Sequence, residues 1–420
     1  MSGVGGRIVV VGSSIAGLIT SIALKKKCNF PIRILEKGSR KSLRKGTFIG
    51  LWTPALACLQ SLDLYSSLAD GFEPVVKSCY KSKYGRVLLE PINGLRDPRV
   101  HQLHDIQDTS SCTTKHLNKT MKSTILKEIN LDDPSLMFIN EDYLLDTLTD
   151  IAVNKYGVEI YYNTQVTNIV PNNQSSSSSS SSSYSPSSSS CKIITSSSSS
   201  SINSDTYSNS NHDSPLAEDM DAYLVVAADG CFSTLRHIIQ QRSNNLEVTI
   251  HDKINNDDNM NDNDYSKEMI NDRGYTVCRG YTKHRLSDSS FQTWGVGCRF
   301  ACVPIKHLNN NNNDINNTNS YGNAWFAAIS NHRMIRMMEG QQRAGNGGLR
   351  VALGEFFKDY HDPITKLIDQ TEGDIRVDKS WATKQVKKMN SFHIQAEDNT
   401  RIVFVGDAAH TLDPILAQGR

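Results

Sequence analysis

The sequence predicts an α/β protein in which a parallel, doubly wound sheet carries an inserted antiparallel β-sheet domain and polar low-complexity loops. Three observations predict it. Short β-branched runs without polar alternation end in small or acidic residues, as strands buried on both faces of a parallel sheet do. The first such run opens into a helical stripe and then a second strand, which is a βαβ unit. A later stretch alternates bulky with small or polar residues, the period of an antiparallel strand.

Ile8-Val9-Val10-Val11 is the first strand, ended by Gly12. From about Ser14 the spacing becomes helical, with Ile15, Leu18, Ile19 and Ile22 on one stripe and Lys25, Lys26 and Lys27 at the end, where cations favour the helix dipole. Ile32-Arg33-Ile34-Leu35 is the second strand. Two more apolar runs, Tyr223 to Ala228 before Asp229-Gly230 and Ile402 to Val405 before Gly406-Asp407, deliver acidic turns at strand carboxyl ends, where open α/β sheets bind ligands. Thr293 to Val303 alternates with period two, and Asn323 to Ile329 reads as its partner strand.

The length of 420 residues suits two or three domains at roughly 150 residues each. Serine tracts at 175–183 and 196–201 and asparagine-rich stretches at 255–263 and 309–319 dilute the apolar content to 38%. Such segments bury no core and read as loop insertions between strands. A phosphorylated or partner-binding serine tract is the alternative reading.

Lysine plus arginine number 45 against 44 acids, so the whole-chain field favours neither nucleic acid nor an anionic membrane. Nine cysteines without a C-x-x-C pair predict reduced thiols and a cytoplasmic location. The start leaves no room for a targeting segment, and no apolar run approaches the roughly 18 residues of a membrane span. The sequon at Asn118-Lys119-Thr120 is read as chance. No metal-ligating Cys/His spacing, G-x-S-x-G elbow or H-E-x-x-H motif is found, so no metal site is assigned.

The turn Gly12-Ser13-Ser14-Ile15-Ala16-Gly17 has G-x-G-x-x-G spacing with Ser14 in place of the second glycine. It follows a strand, opens a helix and is answered by Glu36 about 20 residues on, the context of a Rossmann-like dinucleotide site. Gly12 permits the tight turn, Gly17 lets helix approach sheet, helix N–H groups face a pyrophosphate, and Glu36 accepts from ribose hydroxyls. A βαβ unit with a glycine-rich turn and no nucleotide is the bland alternative. Asp229 to Arg236, and Gly406-Asp407-Ala408-Ala409-His410 with Pro414 and Gln418-Gly419, are singly no more than turns or helix caps.

Taken in order, the three motifs resemble the FAD-contacting motifs of the flavoprotein monooxygenases with the hydroxybenzoate hydroxylase fold (group A), among them zeaxanthin epoxidase and salicylate and urate hydroxylases. Gly46 to Leu51 running into Pro54-Ala55-Leu56, and His361-Asp362-Pro363-Ile364, add to the resemblance, which covers about half the chain in three blocks.

The resemblance implies a glutathione-reductase-type FAD domain in three parts, 1–73, 134–239 and 379–420, with a Ser-rich insert at about 172–214. The substrate domain takes 74–133 and 240–378. It further implies that Gly12 to Gly17 flank the FAD pyrophosphate and that Glu36, with Lys37 beside it, holds the adenosine ribose. Arg44 would lie near the flavin, and Asp229-Gly230 would dock pyrophosphates of FAD and NAD(P)H, with Arg236 either a charge partner or a helix-stabilising residue. Gly406 and Asp407 would meet the ribityl chain, and Pro414 and Gly419 would follow beside the flavin; His410 is structural.

The activity implied is hydroxylation or epoxidation of a small organic substrate through a flavin hydroperoxide, using dioxygen and NADPH or NADH, by a monomer or homodimer. No catalytic side chain is assigned. A flavin reductase or oxidase, or an inactive fragment, is the alternative. Two departures bear on this: Glu141 stands where the family commonly has an arginine, and the chain ends at Arg420, ahead of the helix that faces the flavin in the family. Trp294, Phe300 and Trp325 are candidates to face substrate, with core packing the stronger reading.

Overall fold

The computed structural model describes residues 7–28, 30–43, 46–75, 77–93, 136–171, 191–197, 219–239, 270–307, 320–344, 348–383, 393–395 and 401–411. The serine tract at 175–183, the asparagine stretches, the sequon, Arg44, Pro414 and Gly419 lie outside them. Two compact units divide the chain, one of residues 1–44, 145–271 and 381–420, the other of 45–144 and 272–380.

In the first unit, Ile8–Val11 is central in a six-stranded sheet, parallel to both Ile32–Leu35 and Leu224–Ala227. Glu159–Tyr161 extends it on one side and Arg401–Phe404 on the other, both parallel, and His393–Gln395 closes an edge antiparallel. The central strands are buried along their length, which is why they carry no polar alternation. Helix Ile15–Cys28 buries Gly17, Leu18, Ser21 and Ile22 and ends in its three lysines. A three-stranded antiparallel sheet, Met220–Ala222, Cys191–Ser197 and Thr164–Pro171, shares a core with the parallel sheet through Ile169, Ile193, Val225 and Ile402.

The second unit is built on a seven-stranded sheet in the order Arg376–Thr383, Ile270–Thr282, Ser320–Ser330, Cys298–His307, Ser290–Gly295, Lys77–Ser82 and Val87–Asn93. The alternating stretch 293–303 is a hairpin rather than one strand, because Val296 and Gly297 turn the chain between Ser290–Gly295 and Cys298–His307. Ser290–Gly295 runs parallel to Lys77–Ser82, with Trp294 opposite Ser82. One face of the sheet packs Phe291, Phe300 and Trp325 against Leu353, Phe357 and Leu367 of the helical segment. The other buries Val303, Ile305 and Ala324 against Phe48, Leu136 and Phe138 of a three-stranded sheet, Phe48–Trp52, Leu136–Asn140 and Glu73–Pro74.

Candidate functional site

Within the first unit, three loops at the carboxyl ends of neighbouring parallel strands come together. The first is the turn from Gly12. Its N–H donates to the Leu35 carbonyl at 2.8 Å, while the Ala228 N–H donates to the Val11 carbonyl at 2.8 Å, so the loops begin side by side. Gly12 has φ of +103°, and a Cβ there would stand 2.4 Å from the Ala228 carbonyl oxygen; a Cβ on Gly17 would stand 1.9 Å from the Gly12 oxygen. Both positions are closed to any side chain, which brings the start of helix Ile15–Cys28 against the sheet edge.

Ser13 is buried, and both its N–H and its hydroxyl donate to Glu36 Oε2, at 2.8 and 3.0 Å. Glu36 Oε1 accepts from the Gly38 N–H at 2.8 Å. Glu36 is thus the tie between the first turn and the end of the second strand. Charge-assisted bonds of this kind contribute about 1.5–3 kcal/mol each. Ser14 is exposed, Ile15 and Ala16 are half-buried, and Lys37 is exposed beside Glu36. The N–H groups of the helix's first turn precede any intrahelical acceptor and make this end receptive to an anion.

The second loop begins at Asp229. Its Oδ2 accepts from the Leu235 N–H at 3.2 Å, while its Oδ1 is buried and has no hydrogen-bond partner. Beside Gly230 there is open space where a side chain would stand. Arg236, in the helical turn that follows, is buried; its guanidinium donates to the Ala408 carbonyl at 3.1 Å and to the Cys231 carbonyl. Burial presses its pKa below the ordinary arginine value, and Asp229, Cys231 and Asp407 oppose that shift. Arg236 therefore ties the second loop to the third through two backbone carbonyls.

The third loop turns at Gly406, φ +57°, whose Cβ position lies 2.7 Å from the Ala16 Cβ, so it touches the first loop. Asp407 is half-exposed, and its carbonyl accepts from the Thr411 hydroxyl at 3.0 Å. Cys231 has its thiol pKa raised, first by burial and then by Asp407, which places that carboxylate close by. His410 is exposed, with its N–H on the Gly406 carbonyl at 3.0 Å. Asp229 and Asp407 thus stand on loops that touch each other and the Gly12 turn, and Glu36 is tied to that turn through Ser13. Ser233, whose Oγ accepts the Arg236 N–H at 3.1 Å, and the Ala408 carbonyl complete the arrangement; no motif spacing pointed to either.

In the second unit, Glu141 is buried. Its Oε2 accepts from the Thr47 hydroxyl at 2.6 Å, its N–H donates to the Thr47 carbonyl at 2.8 Å, and Asp142 Oδ2 accepts the Gly46 N–H at 3.0 Å. Glu141 thereby anchors the segment entering Phe48–Trp52. Phe300 and Trp325 are core residues, stacked at 5.5 Å between ring centroids, with the Trp325 indole N–H donating to Thr371 Oγ1 at 2.9 Å. Trp294 lies on the opposite face, exposed, with the Arg299 guanidinium 5.8 Å from its ring centre.

No family model matches the chain. An FAD-dependent monooxygenase, adrH, of Penicillium rubens is 35% identical over 69 residues, which is 16% of this chain and 15% of that relative. Among solved structures, the chain is similar to Klebsiella pneumoniae HpxO complexed with FAD and uric acid, at 13% identity and TM-score 0.58, over 99% of this chain and 76% of that one. It is also similar to P. aeruginosa PqsL in complex with 2-aminobenzoylacetate, at 10% identity and TM-score 0.57, over 99% and 82%. A third likeness is the tetrameric form of 2-methyl-3-hydroxypyridine-5-carboxylic acid oxygenase, at 16% identity and TM-score 0.54, over 99% and 78%. The α/β fold of this chain is the fold these three proteins have.

Proposed function

We propose that the chain is an FAD-dependent monooxygenase that consumes NADPH or NADH and dioxygen to oxygenate a small organic substrate. One observation carries the reading: the loops of Gly12, Asp229 and Gly406 touch one another at a single parallel-sheet edge, and a buried carboxylate oxygen, Asp229 Oδ1, is left without a donor there. A dinucleotide fits these residues. The first turn of helix Ile15–Cys28 offers N–H groups to phosphate, and the bare backbone at Gly12 and Gly17 lets the phosphates come close. After its three bonds to the protein Glu36 keeps one lone-pair site, on Oε1, for a ribose hydroxyl. Asp229 Oδ1 takes a hydroxyl of the cofactor, and Asp407 one of the ribityl chain. Bound FAD supplies the electron transfer between nicotinamide and dioxygen, which no protein side chain provides.

The test is to purify the chain, remove free flavin and record the visible spectrum, then supply labelled dioxygen with NADPH or NADH. Retained flavin and label in an organic product support the reading; labelled peroxide with no label in any organic product supports an oxidase or reductase instead. Glu141 favours a second reading, a chain that does not turn over, because an acid stands where the resemblance places a cation. A protein that takes up no added FAD would favour it.

A further inference from the structure

Independently of the flavin reading, we propose that one end of the seven-stranded sheet docks on an anionic lipid bilayer. Because Ser290–Gly295 runs parallel to Lys77–Ser82 with Trp294 opposite Ser82, the turns that follow the two strands leave the sheet at the same end. Val87 lies opposite Lys81, which brings the start of the edge strand Val87–Asn93 to that end as well. The Ser330 N–H donates to the Gly297 carbonyl at 3.0 Å, which fixes the start of helix Asn331–Ala344 beside the second turn.

This end gathers the exposed apolar side chains. Of twelve large hydrophobics exposed among the described residues, seven lie here: Tyr84 and the run 87–89, Trp294 and Val296, and Ile335 on the helix. Tyr84 is 70% exposed and Val296 80%. Monomeric surfaces scatter such residues singly, so their concentration on four adjacent segments marks an interaction surface. Cations are interleaved with them. Lys83 Nζ sits 4.7 Å from the Tyr84 ring centre, Arg299 stacks on Trp294, Arg86 is exposed in the first turn, and Arg333 borders Gly297 with Arg336 one helical turn on. The acids in reach are Asp359 and Asp362 beside the first turn, Asp362 being bonded by Lys366 at 3.2 Å, Asp272, which accepts from the Asn331 amide at the helix start at 3.1 and 3.2 Å, and Glu339 along the helix.

Tryptophan and tyrosine with aliphatic tips, ringed by lysine and arginine, is the composition that lies in the headgroup region of a negatively charged leaflet. A second copy of the chain would set the same cations against themselves across a twofold axis, which electrostatics opposes. No helix among the described residues is long and apolar enough to cross a membrane, so the attachment proposed is peripheral.

The experiment is co-sedimentation of the purified chain with vesicles of equal parts phosphatidylcholine and phosphatidylserine, and with phosphatidylcholine alone. Binding to the mixed vesicles that weakens between about 0.05 and 0.5 M salt supports the proposal. Lys83→Gln/Arg86→Gln is expected to lower the partition coefficient roughly 30-fold. Val296→Ser, in an exposed turn and expected to leave thermal melting unchanged, should lower it as well. Wild-type protein that stays in the supernatant overturns the proposal, as does equal pelleting of both variants. Sedimentation velocity showing a wild-type dimer that Val296→Ser dissolves overturns it too, since the patch would then join two copies.

Discussion

The two units solve opposite problems. The first places polar groups at a sheet edge with backbone turns and two side-chain ties: positive φ at Gly12 and Gly406, strand ends in register, Glu36 holding Ser13, and one buried arginine tying loop to loop. The second commits its large side chains to packing. Its sheet holds Phe291, Phe300 and Trp325 against helices on one face and leaves Trp294 and Val296 exposed where two strands end. Ligand chemistry concentrated in backbone turns tolerates almost no added atom, whereas chemistry spread over a packed sheet tolerates change at its surface and fails through its core.

The largest expected effect is therefore Gly12→Val. The new side chain meets the Ala228 carbonyl and forces a β-branched residue into positive φ, costing about 2–6 kcal/mol from strain and overpacking together. Flavin retention in the visible spectrum should vanish even in the folded fraction; a yellow Gly12→Val protein would break the comparison at its first term.

Next is Trp325→Ala. It removes a fully buried ring, its stacking on Phe300 and its bond to Thr371, and should lower unfolding free energy by about 3–5 kcal/mol in a denaturant titration. The protein that remains folded should keep its flavin affinity, since the change lies in the other unit.

Arg236→Lys comes third. A lysine lacks the two-nitrogen fork that meets the Ala408 and Cys231 carbonyls, so the loss of one of these contacts should cost about 1–3 kcal/mol. Here melting temperature and flavin retention should fall together. Loss of one without the other would mean that Arg236 does not hold the second and third loops as a unit.

These contrasts track what the sequence discloses. The strands from Ile8, Ile32, Leu224 and Arg401 and helix Ile15–Cys28 were legible, because burial on both faces and helical spacing are local patterns. The bond of Ser13 to Glu36 and the reach of Arg236 to Ala408 were not, since they join positions 23 and 172 residues apart that no periodicity relates. In the second unit, alternation over 293–303 announced an antiparallel sheet but hid the turn at Val296-Gly297, where a small residue falls on each side of the bend. The parallel pairing of Ser290–Gly295 with Lys77–Ser82 spans some two hundred residues, so neither Trp294 beside Ser82 nor the gathering of exposed side chains at that end could be read from either segment. A formal charge of +1 for the whole chain likewise conceals any local surplus of cations.

The smallest effect expected separates the units by pH. Burial alone would raise the Asp378 pKa, but hydrogen bonds and charge from Arg376 and Arg279 override it and leave the carboxyl below its ordinary value. A carboxylate depressed in the folded state contributes stability that is fully present above its unfolded pKa of about 3.9 and is lost as pH falls through the folded value. Asp378→Asn should then cost about 1 kcal/mol at neutral pH, and the gap to wild type should close below about pH 4 in denaturant midpoints taken across a pH series. In the first unit, burial likewise works to raise Glu159, while hydrogen bonds from Arg33 and Tyr161 bring it below its ordinary value. Its side chain is more exposed and is bonded by one guanidinium rather than two, so Glu159→Gln should cost less than about 0.5 kcal/mol with the same acid limit. A gap for Asp378→Asn that stays constant down to the acid limit would show that the two arginines act by shape alone and that charge distinguishes neither unit.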